Sequence, residues 1–314
     1  MSEIISIIIP TFNSAHSISN TLDSILKQTY QNWECILVDD KSTDNTVQII
    51  QKYIERDSRF SIYHRPENRV KGPNSCRNIG FQYSQGNWIN WFDSDDVYIE
   101  TALEEFIKNL EPNLDVIIGK LIKIDSITRE VVGYNRIFSQ NLLENYFTGF
   151  LSFYVCGPLW KKEFLDKQDE LFDENIRYLD DWDFNLRMLY KKPRIKFLDK
   201  IQIEYNISKE SLSHQIYQLN PLEISSEIYA REKQLKIIKE NKTIEYKLCL
   251  NYVRNQYKLI LRDILVKNKK HPYKNKLFYM LLNKDFELKN LSGFKIFLGY
   301  LSFSIFKKGY FFFK

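Results

Sequence analysis

Apolar residues in the N-terminal third of the chain fall into short runs that alternate with stretches of helical spacing. Residues 4–9 (IISIII) form a β-branched run closed by Pro10, the pattern of a strand buried on both faces. Between Ser17 and Gln28, Ile18, Leu22, Ile25 and Leu26 recur at helical spacing with polar residues between them. Residues 35–38 are a second apolar run, which stops at Asp39-Asp40. Ser42, Thr43 and Asp44 then supply capping chemistry for a helix through Val47, Ile50 and Ile54. Residues 60–63 read as a third strand, 72–74 as a turn, 75–84 as a helix, and 88–92 as a strand running into Asp93-Ser94-Asp95-Asp96. Strands that alternate with helices predict an open, mostly parallel α/β sheet with helices on both faces. Ligands of such sheets sit beyond the carboxyl ends of the strands. The polar clusters at residues 11–13, 39–40 and 93–96 all fall at those ends.

Further along, residues 115–124 (DVIIGKLIKI) and 130–134 (EVVGY) look like paired strands. The acidic segment from Leu179 to Phe184 heads a helix that turns Leu186 and Leu189 inward. From about residue 211 the texture changes to long Lys-rich helical stretches, 222–239 and 244–266, followed by a very aromatic end. No internal repeat or low-complexity linker separates the two textures. They divide the chain into a domain over residues 1–214 and a basic, aromatic-rich helical region over 215–314.

Composition narrows the classes. With 314 residues, 44% hydrophobic and 15% aromatic, the chain is neither disordered nor a disulfide-stapled miniprotein. Cys35, Cys76, Cys156 and Cys249 lie far apart without CxxC spacing, which argues against a zinc ribbon and suits a reducing cytosol. The start has no basic segment and its apolar run ends at Pro10, so a secretory leader is not expected. The net charge of +5 conceals a division. Residues 1–214 carry 25 Lys+Arg against 32 Asp+Glu, and residues 215–314 carry 20 against 8. A basic tail of this kind suits an anionic partner, membrane lipid or nucleic acid. The apolar stretch 296–306 is too short to span a bilayer, so surface association with an anionic leaflet is expected, against an ordinary helical subdomain with solvated lysines. No RNA-binding, zinc or helix-turn-helix signature supports nucleic acid.

Candidate chemistry lies at the strand ends. Asp93 and Asp95 can offer hard oxygen donors to Mg²⁺ or Mn²⁺ while leaving positions for phosphate oxygens, or can belong to a solvated turn capping the next helix. A second D-x-D, Asp181 and Asp183, stands in a helical pattern that points its members apart. Asp39-Asp40 is either a strand end with an N-cap or an acceptor for a nucleotide base or ribose. Neither GxGxxG nor GxxxxGK[ST] occurs, which disfavours a dinucleotide cofactor or a P-loop. Trp160 and Trp182 are candidates for stacking on a sugar face, with core packing the alternative. The four histidines show no metal-ligand spacing.

Three linked segments carry a resemblance: ISIIIPTFN, LDSILKQTYQNWECILVDDKSTDNT and CRNIGFQYSQGNWINWFDSDD. Together they resemble the family 2 inverting glycosyltransferases of the GT-A fold, closely over residues 4–105 and more loosely to about 190. The resemblance implies that Thr11 and Asn13 lie beside the nucleotide, that Asp40 takes a pyrimidine base, and that Arg77 lines the donor pocket. It implies that Asp93 contacts ribose and metal, and that Asp95 ligates Mn²⁺ or Mg²⁺. The segment CGPLWKKEFL followed by LDDWDF is similar to the acceptor-side motif ending in Glu-Asp. On that match Asp181 is the catalytic base, and Asp180 stands where Glu is usual. Phe12 replaces a common Tyr, and Ser208 a common His, both of which bear on the donor sugar. The implied partners are a nucleotide-diphosphate sugar, best a UDP-sugar, and a saccharide acceptor that is free or lipid-linked. Bacterial surface-polysaccharide synthesis and a cytoplasmic location, peripheral on the inner membrane face, are the corresponding expectations. An inactive nucleotide-binding scaffold is the alternative, against which intact Asp95 and Asp181 argue.

Overall fold

The computed structural model describes residues 3–208, 216–267, 270–309 and 312. The chain divides into two compact units, Met1–Lys209 and Glu210–Lys314. The boundary expected between residues 214 and 215 lies outside the described residues.

The first unit opens with β1 (Ile5–Thr11), α1 (Ile18–Leu26), β2 (Trp33–Asp39), α2 (Thr46–Arg56), β3 (Phe60–His64), α3 (Pro73–Tyr83) and β4 (Trp88–Trp91). β3, β2, β1 and β4 lie side by side in parallel, with Thr11 opposite Asp39 and Ile8 opposite Trp91. After β3 the chain crosses back to place β4 on the far side of β1. The order therefore reverses at β1, the kind of switch point beyond whose carboxyl end sheets of this type bind their ligands.

Both sheet faces are covered, which explains the continuous apolar runs. Cys35 and Leu37 join Ile5, Ile7, Ile9, Leu22 and Ile25 in one core, while Ile36 and Val38 face Cys76 and Ile79 of α3. Helix α3 presses hard on the sheet at Gly80, where an added Cβ would lie 2.3 Å from the Ile8 side chain. No larger residue fits there without moving the helix.

Beyond β4 the sheet becomes mixed. The remaining strands are β5 (Val97–Tyr98), β6 (Val116–Asp125), β7 (Val131–Tyr134), β8 (Pro158–Lys161) and β9 (Ile195–Ile207). The full order is β3-β2-β1-β4-β8-β6-β9-β5, with β7 hydrogen-bonded to β6. β8 runs antiparallel between β4 and β6, and β9 lies parallel to β6. The expected hairpin over 115–135 is β6 and β7. Helices α4 (Ala102–Lys108), α5 (Leu142–Phe147), α6 (Lys162–Leu165) and α7 (Asp180–Tyr190) complete the unit.

The second unit is helical among its described residues: α8 (Pro221–Asn241), α9 (Tyr246–Val266), α10 (Lys274–Glu287) and α11 (Ser292–Phe306). Leu235, Val253, Leu261, Leu277 and Leu281 form its interior. Arg254 pairs there with Asp285 at 2.8 Å, both buried. No helix among the described residues is long and apolar enough to cross a membrane. The four cysteines are buried and lie outside any disulfide.

Candidate active site

Three loops leave the carboxyl ends of β1, β2 and β4, and hydrogen bonds brace them into one rim. Asn13, with φ 50, has turned into the left-handed region where Asn is tolerated. Its N–H donates to Ser42 Oγ at 2.9 Å, and its Oδ1 accepts from the Thr43 N–H at 2.8 Å. Ser14 Oγ meets Ser94 Oγ at 2.8 Å, joining the β1 loop to the acidic turn after β4. On the other side of that turn, Thr21 Oγ1 donates to the Asp96 carbonyl at 2.8 Å. Asn206, near the end of β9, donates its backbone N–H to Asp96 Oδ1 at 3.0 Å and its side-chain amide to the Asp95 carbonyl at 2.5 Å.

The remaining wall comes from more distant chain. The loop before α7 is stapled to α3. Asn74 Nδ2 donates to the carbonyls of Asp173 and Ile176, both at 2.8 Å, and Asn78 Nδ2 to that of Phe172 at 2.9 Å. Glu174 accepts from Ser75, Asn78 and Arg69. This clamp delivers Leu179, itself left-handed at φ 68, and after it Asp180 and Asp181 at the head of α7. Non-glycine backbone in that region is strained and persists only where its surroundings hold it.

Arg77 links the two halves. Buried in α3, it donates from Nη2 to Asp93 Oδ1 at 2.8 Å and from Nη1 to Asp180 Oδ2 at 2.6 Å, although Asp180 is 103 residues away in sequence. Nη1 also reaches Asn74 Oδ1 at 3.0 Å, and the guanidinium lies 5.3 Å over the Phe172 ring. Burial alone would weaken its hold on the proton, but the carboxylates of Asp93 and Asp180 raise its pKa above the ordinary value.

The acids on either side of Arg77 are held in unusual states. Asp95 is pushed up to about 7, by burial first and then by the charge of Asp93. Asp96 is raised well above the ordinary range by burial and by both neighbours, against the Asn206 N–H that lowers it. Asp181 rises to about 7 through burial and the charge of Asp180, against the Trp182 N–H and Arg77, which favour ionisation. Asp183, one half turn on, points the other way and is buried against half-buried Arg187, its ion-pair partner at 2.8 Å. The second D-x-D therefore divides its two acids between site and core.

Proton linkage follows from these shifts. Folded Asp95 and Asp96 hold protons that the unfolded chain releases near ~4, so folding binds protons and stability falls as pH rises through about 7. The ligand-free protein is expected to melt at a lower temperature at about pH 8 than at about pH 6, with a smaller drop in Asp95→Asn. A melting temperature that rises over this range would show that these acids are ionised without cost.

The residues present fit a divalent cation. Among the described residues Asp95 has no side-chain or cationic donor, and its carboxyl repels that of Asp93. Two crowded hard oxygen donors at a partly exposed turn are what such an ion neutralises. No group of three metal-ligating side chains occurs among the described residues, so diphosphate and water would complete the coordination.

The other expected residues are placed as follows. Thr11 is buried and its hydroxyl donates weakly to the Val38 carbonyl at 3.5 Å; its own carbonyl accepts the Asp40 N–H at 2.8 Å. It shapes the rim rather than presenting a side chain to it. Asp40 is buried and paired through Oδ1 with Arg65 Nε, and no donor among the described residues reaches Oδ2. Phe12 is 43% exposed under the Lys71 ammonium, 4.0 Å from the ring centroid. Trp160 is fully buried in β8, stacked on Phe164 at 5.5 Å, and has no free face for a sugar. Trp182 is also buried; its indole N–H donates to the Phe147 carbonyl at 3.1 Å. For both, the structure takes the packing alternative. Asn74, Glu174 and Asn206 are supporting residues that no sequence motif marks. Only Asn206 carries a local signal, a polar residue near the end of the alternating strand β9; Asn74 lies in the first turn of α3 and Glu174 in a polar loop.

The architecture, a mixed α/β sheet whose strand order reverses at β1 with flanking helices and a C-terminal helical unit, is that of a GT-A glycosyltransferase. Residues 6–166 match the model of the family described as Glycosyl transferase family 2, more than half of the chain, and the chain belongs to that family. Among curated relatives it is 30% identical to the uncharacterized glycosyltransferase EpsJ of Bacillus subtilis, over 68% of this chain and 64% of that protein. It is 36% identical to the UDP-Glc:alpha-D-GlcNAc-diphosphoundecaprenol beta-1,3-glucosyltransferase WfgD of Escherichia coli, over 45% and 56% respectively. The chain thus spans less than two thirds of the length of these relatives. Among solved structures, S. aureus TarS 1–349 in complex with UDP-GlcNAc superposes with a TM-score of 0.60 at 18% identity, over 96% of this chain and 92% of that one. At that identity the likeness concerns the fold.

Proposed function

We propose that the protein is a metal-dependent inverting glycosyltransferase that moves a sugar from a nucleoside-diphosphate donor to a hydroxyl of a saccharide acceptor in surface-polysaccharide synthesis. The observation that carries this reading is the bridge from buried Arg77, which joins the acidic turn at Asp93 and the acid at the head of α7, both partly exposed, in one network. Its two ends match the two tasks of the reaction, holding the leaving diphosphate and activating the attacking hydroxyl.

Asp181 accepts the proton of the acceptor hydroxyl as that oxygen bonds to the anomeric carbon; the bond to the diphosphate breaks and its electron pair leaves with the nucleotide. A base whose pKa stands at about 7 is both available and strong enough near neutrality. Asp95 and Asp93 would hold the cation, which when bound would neutralise the charge developing on the diphosphate. Arg77 fixes Asp93 and Asp180 and lies between the two sets of acids. Asp40 offers its Oδ2 to an N–H of the base, and its pairing with Arg65 keeps the carboxylate oriented. A uracil donor is supported by this acceptor and by the UDP-sugars named for WfgD and TarS. A lipid-linked acceptor is supported by the diphosphoundecaprenol saccharide in the name of WfgD.

Asp95→Ala tests the donor half. Calorimetry is expected to show UDP-sugar binding to the native protein in Mn²⁺, with affinity at least tenfold lower in EDTA. In the variant both conditions give the weak value. Equal affinity with and without Mn²⁺ in the native protein would remove the metal from the reading.

A further inference from the structure

Helix α11 turns Ile296, Gly299 and Phe303 inward. Its opposite face is also apolar. Phe294, Leu298, Leu301 and Ile305 recur at helical spacing and are 69%, 37%, 40% and 66% exposed, with Phe297 beside them at 42%. Leu291 and Phe286, at the turn into the helix, are exposed too. The outer face of a surface helix is ordinarily polar, and a continuous exposed apolar stripe marks an interaction surface.

Charge selects the occupant. From residue 288 to 314 the sequence has five lysines and no acid. Lys289, Lys295, Lys307 and Lys308 are exposed and form no ion pair among the described residues. The acids just before them are already engaged: Asp285 with Arg254, and Glu287 with Lys239 and Tyr246. An apolar stripe flanked by unneutralised lysines complements the acyl boundary and the anionic headgroups of a bilayer together. At fifteen residues, α11 is about 22 Å long. That is shorter than a hydrocarbon core of roughly 30 Å, so it suits an in-plane position.

We infer that the outer face of α11 docks on the surface of an anionic phospholipid bilayer. This does not rest on the glycosyl-transfer reading, because its readout is lipid binding. The test is co-sedimentation of the full chain with vesicles of phosphatidylcholine alone or mixed with phosphatidylglycerol. The native protein is expected to partition at least tenfold more onto the anionic vesicles, and high salt to reduce the difference. A variant with Phe294→Ser, Leu301→Ser and Ile305→Ser is expected to lose this binding with unchanged circular dichroism and melting. A Lys295→Glu, Lys307→Glu, Lys308→Glu variant is expected to lose the preference for anionic lipid. Failure of the native protein to sediment with either vesicle would overturn the inference, as would undiminished binding by the serine variant. So would a dimer in ultracentrifugation that the serine variant abolishes, since the stripe would then be covered by a second copy.

Discussion

Asp181→Asn is expected to bind the nucleotide sugar and Mn²⁺ with native affinity and to lose transfer by about 10²–10⁴-fold, the contribution of a positioned general base. The amide keeps the shape of the side chain and a carbonyl oxygen for the Trp182 N–H, now 2.7 Å from Asp181 Oδ1, so the head of α7 stays in place. Only the ability to take a proton is lost. The same assignment sets the pH dependence: Asp181 works ionised, so kcat falls as pH drops below about 7, approaching tenfold per unit. Steady-state kinetics on the variant, with donor binding measured separately, check both points. Native turnover in Asp181→Asn would move the base elsewhere.

Arg77→Leu carries the second large effect, and it falls on fold and function together. Its removal leaves Asp93 and Asp180 facing each other across an apolar side chain with no cation between them. Breaking a buried pair from one side costs about 3–5 kcal/mol. In a unit of this size that lowers the melting temperature by roughly 6–20 °C. Mn²⁺ is expected to restore part of the loss, because it neutralises Asp93 from the other side, whereas transfer stays impaired because Asp180 remains unpaired. Arg77→Lys, with a single point charge in place of a fork, is expected to fall between the two. A melt of Arg77→Leu within ~2 °C of the native protein, well inside the change expected for such a loss, would show that the bridge does not hold the site together.

The parts of this site that are legible in the sequence are those where local pattern and strand position coincide. Residues 4–9, 35–38 and 88–92 are buried runs that end in polar clusters, so hydropathy alone locates the three loops of the rim. The mixed half of the sheet is harder. β8 is four residues long and starts with a proline, and the antiparallel strand it forms between β4 and β6 depends on partners far away in sequence. β9 does alternate on either side of an irregularity in its pairing with β6, where the register shifts, and that interruption hides the period. Asn206 gains its role only through this strand, which carries it to the turn at Asp95 and Asp96. Trp160 shows the opposite failure: an aromatic beside an acceptor-side motif suggests stacking, but its neighbours Phe164 and Phe184 enclose it. The convergence of Arg77, Asp93 and Asp180 is likewise a product of the clamp between α3 and the loop before α7, which no spacing rule reveals.

Whether the acidic turn and its cation hold a nucleotide sugar is read out by melting the protein with a panel of nucleotide sugars, each with and without Mn²⁺. At a hundredfold excess over Kd, a bound donor stabilises the fold by about 2.7 kcal/mol, a rise of roughly 5–10 °C for a unit of this size. That rise is expected for a UDP-sugar in Mn²⁺ and is expected to vanish in EDTA. A melting temperature that no nucleotide sugar moves, in either condition, would contradict that expectation.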